Sequence, residues 1–90
     1  MTRQQAQEIA SRAEKERVVY ATIDGVHLKV NCVMDHSILV EAFVPGSMEV
    51  RAEGISWLKF CPDELERLVN SILRVVALAK EDAVLVALKV

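Results

Sequence analysis

Four side chains in this 90-residue chain could hold a zinc ion: Cys32, Cys61, His27 and His36. Structural zinc sites pair their ligands at short spacing, Cys-x₂₋₄-Cys with His-x₃₋₅-His, and no such pair is present. Cys61 stands immediately before Pro62 at the start of a helical pattern, where unpaired backbone N–H groups can lower a thiol pKa. Asp63 and Glu64 follow at once and oppose a thiolate, so Cys61 reads as a structural thiol at a strand-to-helix corner. Asp35, His36 and Ser37 are the residue types of a hydrolase triad. Consecutive residues in a turn cannot converge into a nucleophile–base relay, and Asp35 and Ser37 suit turn backbone better. Gly25, Gly46 and Gly54 are isolated, so no phosphate-cradling loop exists. These patterns predict no catalytic residue, no metal and no cofactor.

Composition narrows the remaining classes. Eleven basic and thirteen acidic residues leave a net charge of −2, and Lys and Arg are dispersed from Arg3 to Lys89. Nucleic-acid binders draw most of their affinity from phosphate neutralisation, so this balance disfavours them. The chain is 52% hydrophobic but 4% aromatic, which predicts an aliphatic core and excludes disorder. Two cysteines are too few for a secreted disulfide framework, the first residues are polar, and no apolar stretch is long enough to span a bilayer. A cytoplasmic protein without membrane contact is expected.

The elements that position these residues follow from periodicity. Thr2 with Gln5 matches a capping box, opening an N-terminal helix over 1–16 whose apolar stripe is Ala6, Ile9, Ala10 and Ala13. So small a face predicts a helix held weakly or against a partner. Residues 17–60 alternate with period two and read as a β-meander. Asp24-Gly25 between two such runs predicts a type I′ hairpin pairing Ile23 with Val26, Ala21 with Leu28 and Val19 with Val30. Tyr20, Thr22, His27, Lys29 and Asn31 then share the outer face. A turn at 35–37 leaves the next strand in either phase: three loop residues turn Ile38, Val40 and Ala42 inward, two reverse it. Val44-Pro45-Gly46-Ser47 fits a type II turn. In the following strand Glu49, Arg51 and Glu53 form a charged, edge-guarding side, with a bulge or break at Gly54.

Pro62 with Asp63 and Glu64 opens a core helix over 62–81, its stripe Leu65, Leu68, Val69, Ile72, Val76 and Ala79. Residues 75–79 are apolar all round, which predicts cover on more than one side. Residues 83–90 read as a buried C-terminal strand, with continued helix as the alternative.

The expected fold is one α+β domain of order α-β-β-β-β-α-β, an antiparallel meander packed on the long helix. Surplus apolar surface on so small a domain predicts a non-enzymatic protein-interaction module acting as a homodimer. Its interface is expected at Val75, Leu78, Leu85 and Ala87. The alternative is nucleic-acid binding on the outer sheet face, through Tyr20, His27, Lys29 and Phe43.

Overall fold

The computed structural model describes residues 1–34, 37–56 and 62–88. Helix α1 (Arg3–Glu16) is followed by strands β1 (Val18–Ile23), β2 (Val26–Met34), β3 (Ser37–Phe43) and β4 (Arg51–Ser56), then helix α2 (Pro62–Leu88). The strands form one antiparallel sheet in the order β1-β2-β3-β4. This is an α+β arrangement, with one exception to the expected order: the last element is helix, not strand.

α1 starts on the predicted capping box. Thr2 Oγ1 accepts the Gln5 N–H at 3.2 Å, and Gln5 Oε1 accepts the Thr2 N–H at 2.8 Å. Arg17 closes the helix at φ 67°, its N–H donating to the Ala13 carbonyl at 3.0 Å. Ala6, Ile9, Ala10 and Ala13 are all buried, so the small stripe brings α1 close against α2, β1 and β2. Arg3 reaches across to Asn70 and Glu66 of α2.

The first hairpin has the predicted register, Ile23↔Val26 through Val18↔Asn31. Asp24 and Gly25 take φ 53° and 80°, as a type I′ turn requires. A Cβ on Gly25 would meet nothing within 4 Å. The penalty for Gly25→Val is therefore conformational rather than steric, since a β-branched residue resists positive φ. A loss of at least about 1 kcal/mol is expected in chemical denaturation, and Gly25→Asn should lose less.

β3 resolves the open phase. Cys32 pairs with Ile38 but Met34 with Ser37, an irregularity at Val33 that shifts the ladder by one residue. That shift turns Ile38, Val40 and Ala42 into the core. Asp35 and His36 lie outside the described residues. Ser47 donates its N–H to the Val44 carbonyl at 3.0 Å and Gly46 takes φ 91°, the predicted type II turn.

β4 departs from the sequence reading. Gly54 is in register, paired with Leu39, with no bulge or break. Ile55, Glu53 and Arg51 pair with Ile38, Val40 and Ala42, so the charged side of the strand turns toward α2 rather than solvent. It meets partners there. Arg51 donates two hydrogen bonds to Asp82 at 2.9 and 2.7 Å, and Arg74 pairs with Glu53. Inward-pointing charge still guards an edge, because a partner strand would have to displace these bridges.

α2 packs its stripe Leu68, Val69, Ile72, Val75, Val76 and Ala79 on the sheet's inner face. It begins at Pro62 with Asp63 and Glu64 in its first turn, as expected. It continues past Lys80 to Leu88, correcting the strand read for 83–90. No Gly or Pro interrupts the run, and extending a formed helix needs no new nucleus. Val84 and Val86 cost only tenths of a kcal/mol in helix propensity, roughly 0.5 each. The extension also places Asp82 against Arg51.

The carboxylates in these bridges make the fold acid-sensitive. Hydrogen bonds from Arg51 and Arg74 hold Asp82 and Glu53 below their ordinary values, and Lys80 with the N-terminus lowers Asp24. A lowered native pKa adds stability above the ordinary carboxylate value and loses it as pH falls through the native one. The thermal midpoint should hold from neutral pH down to about 4 and then fall. Arg51→Gln should lower the neutral plateau and flatten part of that acid limb, read by circular dichroism melts across pH.

Candidate interaction surfaces

The geometry of α2 places two apolar faces on one helix. Over its last four turns Val75, Val76 and Ala79 face the core, while Ala77, Leu78, Val84, Leu85 and Leu88 are exposed. The exposed set recurs at i, i+1, i+7, i+8 and i+11, a single helical stripe broken only by Glu81. At 1.5 Å per residue the 27-residue helix is about 40 Å long. Leu88 is 77% exposed and Leu85 55%.

The connection from β3 to β4 extends this patch. Gly46 lies so close to α2 that a Cβ there would stand 3.3 Å from Val86 Cγ1. Met48, 99% exposed, stands beside it. A concavity of about 520 Å³ opens between this segment and the helix end, lined by Gly46, Ser47, Met48, Glu49, Asp82, Leu85 and Val86.

The expected interface residues divide accordingly. Leu78 and Leu85 are on the open stripe, and Ala87 is exposed on its flank. Val75 is 1% exposed and belongs to the core. The expectation that 75–79 is covered on more than one side fails within the described residues, since Ala77 and Leu78 face solvent. Val84, Leu88 and Met48 were missed. The i, i+7, i+8, i+11 spacing would have found the first two had 83–88 been read as helix.

The outer sheet face is the second candidate surface. Both helices pack on the inner face, so Tyr20, His27, Lys29 and Phe43 share a side that neither covers. His27 stacks on Phe43 with ring centroids 5.1 Å apart, and Lys29 Nζ sits 5.8 Å from the Tyr20 ring centroid. Between these pairs lies a concavity of about 410 Å³ that also touches Glu41 and Val50. Lys29 and Glu41 are Cα partners across β2 and β3, so this face carries little net charge.

Protein families, curated proteins and solved structures offer no match to this chain.

For chemistry the described residues offer little. Cys32 is a free thiol 3.5 Å from the Ala13 carbonyl, and burial raises its pKa, which disfavours the reactive thiolate. No three His, Cys, Asp or Glu side chains gather into a metal site among the described residues. Cys61 and His36 lie outside them. Among the described residues no helix is long and apolar enough to cross a membrane.

Proposed function

We propose that this chain is a non-enzymatic protein-interaction module of the cytosol that works as a homodimer, in the manner of an adaptor, inhibitor, chaperone-like factor or small complex subunit. One observation carries the reading: the last four turns of α2 bear apolar side chains on opposite faces, one in the core and one in solvent. Contiguous exposed apolar surface of more than a few hundred Å² marks an interface on a soluble protein. A two-fold contact in which the stripe meets itself is the simplest closed arrangement. Light scattering coupled to size-exclusion chromatography tests it. A mass of two chains at high micromolar concentration is expected, and a strict monomer refutes the dimer.

A second reading, nucleic-acid binding on the outer sheet face, draws on the solvent-facing His27–Phe43 stack beside Lys29 and Tyr20. The Glu41 partner of Lys29 and the net charge of −2 weigh against it. Retention on single-stranded DNA that falls with salt would favour this reading over the first.

A further inference from the structure

The sheet has two edges, and they are guarded unequally. β4 carries Arg51 and Glu53, each bridged to α2. β1 reads Val-Val-Tyr-Ala-Thr-Ile, without a charge, a proline or a glycine, and it pairs with β2 in unbroken register. Natural sheets blunt an exposed edge with charge, proline or a bulge, and β1 has none of these.

The direction of its free backbone groups follows from the hairpin. Flanking a two-residue turn, Ile23 and Val26 are a hydrogen-bonded pair, so Ala21↔Leu28 and Val19↔Val30 are too. The Cys32 N–H donating to the Arg17 carbonyl at 2.7 Å has the same parity. The N–H and C=O groups of Val18, Tyr20 and Thr22 consequently point away from β2, along the edge that no other strand pairs with among the described residues. Their side chains lie on the outer face, where Tyr20 is 69% exposed.

We infer that β1 is a docking strand that takes an extended segment of a different protein chain as a fifth strand. The inference rests on the interaction-module reading and names the kind of partner. Three residues supply paired backbone donors and acceptors, while Val18, Tyr20 and Thr22 select the segment's outward side chains. An uncharged run with β-branched or aromatic residues at alternate positions matches them. A second copy is the weaker occupant. If the α2 stripe meets itself as proposed above, another self-complementary surface would extend that dimer into an open chain.

A synthetic peptide of residues 17–24 serves as the probe, since this run has the required chemistry and charged ends for solubility. Titration into the full chain, followed by amide NMR, should saturate with a Kd below about 1 mM. It should slow hydrogen exchange at Val18, Tyr20 and Thr22, whose outward amides should exchange fast in the free protein. Peptide N-methylated at one alternate set of amides should lose binding by about tenfold or more, and the other set should be tolerated. Tyr20→Pro removes an outward N–H without touching the β2 ladder, so it should abolish binding with the circular dichroism spectrum unchanged. The Leu78→Glu/Leu85→Glu variant should still bind the peptide, which separates this inference from the dimer contact. Absence of saturation, equal binding of both methylated peptides, or concentration-dependent protection of these amides without peptide would each overturn it. The last would assign the edge to a second copy.

Discussion

Ile72→Asp should leave no measurable folded protein. Ile72 is 0% exposed at the centre of the α2 stripe, in the core that α2 shares with the sheet and α1. The substitution removes a large aliphatic side chain, a loss of about 2–5 kcal/mol in well-packed cores. It also buries a carboxylate with no partner, adding several kcal/mol more unless the group protonates. Against a typical domain stability of about 5–15 kcal/mol, these two terms together are decisive. The control is Ile72→Val, which removes one methylene and should cost only about 1 kcal/mol. Far-UV circular dichroism and urea titration measure both. A cooperative transition for Ile72→Asp at an unchanged midpoint would mean that α2 presents a different face to the sheet.

Leu78→Glu with Leu85→Glu should convert the proposed homodimer to a folded monomer. Both side chains are already exposed in the single chain, at 42% and 55%, so the variant costs the fold little. In a two-fold contact each substitution appears twice, and four carboxylates would converge near the axis beside the two copies of Glu81. Like charges brought together in a desolvated contact cost several kcal/mol, so dissociation should rise by about 100-fold or more. Light scattering would report half the wild-type mass while the circular dichroism spectrum stays the same. Ala87→Glu, on the flank of the stripe, should weaken association less. If the double variant unfolds, the exposed stripe is part of the core in solution. If it remains dimeric, the copies meet elsewhere.

Much of this was legible in the residues because local chemistry decides it. The capping box at Thr2 and Gln5, the Asp24-Gly25 turn, the proline-glycine turn at 45–46 and the proline start of α2 depend on contacts within a few positions. Each therefore followed from sequence. The outer-face set Tyr20, His27, Lys29 and Phe43 followed as well, the first three from the hairpin register and Phe43 from one phase of β3. Alternation assigns a face to every side chain once one pair is placed.

Tertiary structure decided what periodicity leaves degenerate. The phase of β3 depends on an irregularity at Val33, and no local preference marks that residue as one that shifts the ladder. The charged side of β4 was expected as an edge guard, with nothing nearby in sequence to say what it meets. It faces inward because α2 supplies Asp82, 31 residues beyond Arg51, and Arg74, 21 residues beyond Glu53. The end of the chain is the clearest case. A run of Val, Leu and Ala satisfies helix and strand alike, so its state is set by what it touches. Continuing α2 keeps its backbone hydrogen bonds internal and packs Asp82, Ala83 and Val86 toward the fold. It leaves Val84, Leu85 and Leu88 largely exposed. That α2 presents a second apolar face is a property of the folded chain alone.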